Sequence, residues 1–368
     1  MAKFPNYWDY LKLDHLLTLQ DGFEGDGDVE SADELHFIVV HQVYELWFKL
    51  ILRSLRLARD RLAQPSVPEE VVPYVVHHLR RITVTLDLAF QHWRLVESLA
   101  PQDFLAFRDK LAPASGFQSF QLRELEIVMG LEESQRILFA GTTPLQHIQQ
   151  LGPQSDAGRL AWQHIESARA ESTFLSALEE WLSRTPIQGS TPQNPDDAVI
   201  VRAFVDDYLA RADALQQATL ERLVTALGAE QRGPVGARFE AASTAARAFL
   251  YAEDVIPERR ERTLRTRAAA LFIESYRDLP LLAWPRLLLD AVVEMEEGML
   301  KFRNGHARMV ERVIGRRVGT GGSSGVDYLD QTQKYRVFRD LWAIRAVLLP
   351  KDALPPLKDP HLYGFVAT

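Results

Sequence analysis

Apolar residues recur at three- and four-residue spacing along almost the whole chain, and alternating β-branched runs are scarce. That period constrains the fold more than any other feature. A 3.6-residue repeat puts one stripe of each segment into a core, and it does not sit as a strand. The run "DELHFIVVHQVYELWFKLILRSLRLARDRL" opens with an acidic turn and continues for about 30 residues. It is apolar nearly all round as far as Trp47, so its first half is expected to be central. A second long helix is expected after Pro68, with Pro73 in its first turns. A short one starts at Asp103 and stops at "APASG", residues 112–116. Residues 158–184 and 196–228 read as two more, separated by "TPIQGSTPQNPDD". Later helices are expected in "AALFIESYRDLP", in "LLLDAVVEMEEGMLKFRNGHARMVERVIGRR" and in "QTQKYRVFRDLWAIRAVLL". There is no internal repeat. The expectation is one all-α domain over residues 1–368, with a helical excursion at about 180–250.

With 368 residues, 46% of them hydrophobic, such a chain can bury a large core. A net charge of -8 argues against a broad basic face for nucleic acid. The absence of cysteine removes disulfides, thiolate metal sites and thiol catalysis. The start "MAKFPNYWDY" has no apolar signal region, so a cytoplasmic location is expected. The most apolar window, Leu35 to Leu52, contains His36, His41, Gln42, Glu45 and Lys49. It is expected to be a buried helix and not a membrane span.

One segment breaks the helical pattern. "GTGGSSG", residues 319–325, holds four glycines, two serines and a threonine. Glycine is costly to order, so such a run is a flexible linker, a phosphate or nucleophile loop, or a backbone clamp over a small ligand. The embedded Gly-x-Ser-x-Gly lacks the preceding strand that a nucleophile elbow needs, and no lysine follows to make a Walker loop. Neither Glu-x-x-His nor His-Glu-x-x-His occurs, which removes the usual di-iron and zincin patterns.

Two histidines stand on apolar helix faces. His306 belongs to the stripe Met295, Met299, Phe302, His306, Met309, Val310 and Val313. His41 lies between Phe37 and Phe48, with Glu45 one turn on. Each is either a hydrogen-bonded core histidine or a ligand. One imidazole in a Met- and Phe-lined stripe suits a haem iron better than zinc, which needs three or four ligands. Arg108 is a surface residue or a planar fork for a carboxylate. Arg312, Arg316 and Arg317 either pair with haem propionates or favour a helix C-terminus.

Five blocks, in order, carry a resemblance. "YWDYLKLDHLLTLQ", "DELHFIVVHQVYELWFKLIL", "FRDKLAPASGFQSFQLRELE", "FRNGHARMVERVIG" and "GTGGSSGVDYL" together resemble the tryptophan 2,3-dioxygenase family. The resemblance runs from Asn6 to about Leu349 and is weakest at 130–255. It implies an all-α, homotetrameric, haem-dependent enzyme that opens the indole ring of L-tryptophan with O2, giving N-formylkynurenine. It implies that His306 is the axial ligand of a haem b iron and that His41 is the distal histidine near the indole N–H. Phe37 is then an aromatic wall, Arg108 the carboxylate binder, and Ser115 a distal lining residue. Thr320 meets the substrate ammonium and carboxylate, in a loop that closes over the amino acid. Tyr7, Tyr10 and Leu11 cover a neighbouring subunit's site. Several positions depart from the family pattern. Gly305 stands where a bulkier residue is usual, and Phe104 where some members have tyrosine. Phe302 replaces a common tryptophan, and "ADE" replaces "HDE". These departures keep open a modified tryptophan as substrate with single-oxygen insertion to an oxindole. A non-catalytic haem sensor is the alternative from another class.

Overall fold

The computed structural model describes residues 4, 6–22, 32–138, 141–228, 230, 232–319 and 325–364. Among these, fifteen α-helices carry the architecture: α1 (Tyr7–Leu11), α2 (Leu13–Leu16), α3 (Ala32–Leu62), α4 (Val71–Val96), α5 (Pro101–Leu111), α6 (Phe120–Met129), α7 (Pro144–Leu151), α8 (Asp156–Ala170), α9 (Phe174–Arg184), α10 (Asp197–Leu227), α11 (Arg232–Leu250), α12 (Pro257–Ser275), α13 (Ala283–Ile314), α14 (Val326–Thr332) and α15 (Arg339–Arg345). No strand occurs among the described residues, so the all-α expectation holds.

The backbone falls into two compact units, each assembled from separate stretches of chain. One comprises Met1–Leu55, Arg81–Glu171 and Glu297–Tyr335, and the other Arg56–Arg80, Ser172–Glu296 and Arg336–Thr368. The first unit contains α5 to α8 and most of the residues discussed below. Its helix ends follow from sequence. Pro101 occupies the first turn of α5, where a missing N–H costs nothing. Ser119 caps α6 by accepting from the Leu122 N–H at 3.3 Å, and Gly130, at φ 120°, ends it. Thr143 and Gln146 form a reciprocal capping box on α7. In the second unit α9, α11 and α15 all pack against α12.

Two expectations about helix continuity are corrected. Residues 158–184 are not one helix: α8 stops at Ala170, and Thr173 caps α9 through the Ser176 N–H at 3.0 Å. The segment 331–349 is likewise broken. The carboxylate of Glu296 accepts from the Val337 N–H at 2.5 Å, the Phe338 N–H at 3.3 Å and the Trp342 indole N–H at 2.5 Å. These bonds fix the turn from which α15 starts.

A third correction concerns α3. It is the one described helix long and apolar enough to cross a membrane by length and composition. Its first half is not central. Val40, Tyr44 and Phe48 are buried, whereas Leu35, Val39, Leu46 and Leu50 are exposed on the same helix. By contrast, the stripe expected on α13 is real: Met295, Met299, Phe302, Met309 and Val313 are all at most 5% exposed.

Candidate active site

Tyr44, Trp93 and Phe302 bring α3, α4 and α13 together in an aromatic cluster. Tyr44 lies 4.3 Å from Trp93, ring centre to ring centre, and Trp93 lies 5.2 Å from Phe302. The Trp93 indole N–H donates to the Phe302 carbonyl at 3.2 Å. The other face of this cluster belongs to His306, whose ring stacks on Trp93 at 4.6 Å with planes 3° apart. Gly305 permits that approach. A Cβ there would lie 2.8 Å from Phe90 Cδ2 and 3.0 Å from Trp93 Cδ1.

A cavity of about 430 Å³ opens beside this stack and is lined by both His306 and His41, with Tyr44, Phe48, Leu122 and Phe302 in its walls. An adjoining cavity of about 170 Å³ shares His306, Phe302, Gly116 and Leu122, and adds Phe104, Arg108 and Ser115. His41, Arg108 and His306, from α3, α5 and α13, thus line two cavities that share His306.

The two histidines are electrostatically alike and differently held. Burial lowers the pKa of His306 to about 3, and the neighbouring His41 and Arg123 push in the same direction. It makes no hydrogen bond among the described residues, so its neutral imidazole keeps a free lone pair. His41 is also held below the usual histidine range, by burial first and by His92 to a lesser degree, against the Phe37 carbonyl. Its Nδ1 lies 2.7 Å from that carbonyl. A carbonyl can only accept, so Nδ1 carries the proton and Nε2 is left as an acceptor. Phe37 lies tilted against the His41 ring, centres 4.0 Å apart, with the Phe104 and Phe107 ring centres at 5.7 Å and 5.8 Å.

Arg108 donates one Nη to the Val318 carbonyl, while its buried Nε has no partner. Ser115 caps a short 3-10 turn, accepting from the Phe117 N–H at 3.4 Å. Thr320 lies outside the described residues. Tyr7, Tyr10 and Leu11 are 69%, 76% and 42% exposed, so within one chain they cover nothing.

Sequence reading missed a buried charge cluster on the cavity wall. Glu126 meets Arg136 at 2.6 Å, Arg303 at 2.9 Å and Arg123 at 3.3 Å. Burial alone would raise the Glu126 pKa, but the three guanidiniums reverse this and hold it near 2. Glu133 reaches Arg136 from the exposed side at 3.0 Å, which still leaves the cluster net positive. The Nε of Arg123 is buried without a partner. The signal was present: charged residues interrupt the apolar face of "RELEIVMG". Arg312 and Arg316, by contrast, form exposed ion pairs with Glu97 at 3.9 Å and Asp327 at 2.8 Å.

The sequence model described as Tryptophan 2,3-dioxygenase matches residues 3–348. The chain belongs to the tryptophan 2,3-dioxygenase family. It is 46% identical over 366 residues to "Tryptophan 2,3-dioxygenase 2" of Ralstonia nicotianae, covering 98% of this chain and 97% of that protein. It is 45% identical to "Tryptophan 2,3-dioxygenase" of Sorangium cellulosum, over 99% of this chain and 88% of that one. A "Tryptophan 2,3-dioxygenase-like protein" of Xanthomonas campestris is 47% identical over 73% of this chain. Tryptophan 2,3-dioxygenases are oxidoreductases, and the chain is an enzyme of that kind.

Proposed function

We propose that this enzyme opens the indole ring of L-tryptophan with O2, giving N-formylkynurenine, and that His306 holds a b-type haem for the purpose. The observation that carries the reading is the single cavity lined by a neutral, unbonded His306 and by a His41 whose Nε2 can only accept. The residues present suit a haem. A neutral imidazole in an apolar cavity is a ready axial ligand. The cationic cluster, with its orphaned Arg123 Nε, suits carboxylates such as the propionates. Bound there, haem would supply the iron centre at which O2 reacts.

The chain's own residues position the substrate. His41 Nε2 accepts from the indole N–H, and Phe37 fixes the His41 ring from its other side. Arg108 exchanges the Val318 carbonyl for the substrate carboxylate, with Ser115 beside it and Thr320 contributing a hydroxyl from the glycine-rich loop. Apolar walls keep water out, and holding both ends of the amino acid fixes the indole for the full reaction. In a homotetramer the exposed Tyr7, Tyr10 and Leu11 cover a neighbouring subunit's site. Residues 1–368 then act as one domain in the cytoplasm, with the 180–250 region an excursion from it.

The test is the absorption spectrum of the purified protein, followed by turnover of L-tryptophan in isotopically labelled O2 with mass spectrometry of the product. A haem spectrum and two labelled atoms in formylkynurenine are expected. One labelled atom in an oxindole, or turnover only of a methylated tryptophan, would move the enzyme to single-oxygen insertion. Haem without turnover would leave a sensor.

A further inference from the structure

A histidine that ligates a metal usually donates its second ring N–H to a carboxylate or carbonyl, which fixes the plane of the ring. His306 has no such acceptor among the described residues. What lies against it is Trp93, parallel to within 3° at 4.6 Å. Trp93 is well placed to act as a template. It is 5% exposed, its indole N–H is tied to the Phe302 carbonyl, and Tyr44 and Phe302 pack around it.

The template depends on Gly305. This glycine sits inside α13, where glycine weakens a helix, and its φ is not positive, so no unusual backbone conformation requires it. What requires it is space. A Cβ would press on Phe90 Cδ2 at 2.8 Å, Phe90 Cε2 at 2.9 Å and Trp93 Cδ1 at 3.0 Å. Phe90 is 42% exposed and can swing away, but Trp93 is 5% exposed, and any shift it makes bears on its stack with His306.

We infer that Trp93, seated by Gly305, is a positioning residue that sets the imidazole plane of His306 through stacking, in place of a hydrogen-bond acceptor. A second consequence follows. With no anionic acceptor on its N–H among the described residues, the imidazole would be a modest electron donor to a haem it ligates, which favours the ferrous state. The inference rests on His306 being the haem ligand.

The experiment compares the haem-loaded wild type with Trp93→Phe, Trp93→Leu, Gly305→Ala and the double variant Gly305→Ala/Phe90→Ala. Two quantities are read: the iron–histidine stretching band of the ferrous form by resonance Raman, and the rate of haem loss to apomyoglobin. Trp93→Leu and Gly305→Ala should shift or broaden the band and weaken haem retention on the order of 10-fold. Trp93→Phe, which keeps a stacked ring, should stay near wild type, and Phe90→Ala should leave the Gly305→Ala defect in place, because the contact with Trp93 remains. Wild-type bands and haem retention in both Trp93→Leu and Gly305→Ala would overturn the inference while leaving His306 as ligand. A His306→Ala protein with the wild-type spectrum would instead overturn the functional reading, and this inference with it.

Discussion

His41 is held so that one nitrogen is spent on the backbone and the other is left as a hydrogen-bond acceptor. Replacing it with alanine removes the acceptor and leaves the His306 side of the cavity intact. The His41→Ala protein is therefore expected to keep a five-coordinate ferrous spectrum while turnover drops on the order of 100-fold. Haem loss matching that of His306→Ala would mean the two histidines have been given each other's sides. The pH profile carries the same information. Burial keeps His41 below the usual histidine pKa of about 6.5, so it is neutral at pH 7. The acid limb of kcat/KM should lie below that pH and should vanish in His41→Ala. Arg108 makes a second prediction. Its orphaned Nε is buried, and a substrate without a carboxylate leaves the guanidinium without its charge partner. Unpaired buried donors cost about 1–3 kcal/mol, so tryptamine should be used roughly 10- to 100-fold less efficiently than L-tryptophan. Equal kcat/KM for the two would remove Arg108 from carboxylate binding.

Helix α6 is short, yet it carries the cluster that welds α13 to the chain after it. Glu126 on α6 binds Arg303 on α13 and Arg136 beyond Gly130. Neutralising it leaves Arg123 and Arg303 without their carboxylate and Arg136 with Glu133 alone, so Glu126→Gln should cost about 3–5 kcal/mol of unfolding free energy, measured by denaturant titration. The sign of the pH effect follows from the depressed pKa. The contribution is fully present above about pH 4.5 and is lost as pH falls towards 2. The wild type should lose this increment across that window and Glu126→Gln should not; parallel curves for both would show that the cluster adds no pH-dependent stability. These elements also mark what sequence could reveal. The stripe of α13 was legible because Met295, Met299, Phe302 and His306 repeat at helical spacing. The breaks before Thr173 and Phe338 were not, because nothing local forbids helix there. One depends on a weak cap, and the other on the Glu296 carboxylate, about forty residues away in sequence. His41, Arg108 and His306 could be selected from motifs. Trp93 could not, since its importance comes from lying against a residue more than two hundred positions later.

Across the whole molecule, one surface feature asks for a partner. Phe4, Tyr7, Trp8 and Tyr10 are more than 60% exposed, and Leu35, Val39, Leu46 and Leu50 form an uncovered apolar stripe on α3. Exposed apolar residues grouped in this way suit an association face. Light scattering should report a homotetramer. Deleting residues 1–12 should depress activity while most haem stays bound; a fully active monomer would defeat both the assembly and the role of Tyr7, Tyr10 and Leu11. The cationic cluster around Glu126 has its own consequence at this scale. An anionic cofactor bound beside it stabilises the folded chain and not the unfolded one. By mass action, a cofactor present at a hundred times its Kd adds about 2.7 kcal/mol of stability, a large part of what a folded protein has to spare. In a living cell, the copy number of this protein, and not merely its loaded fraction, would then rise and fall with the supply of haem.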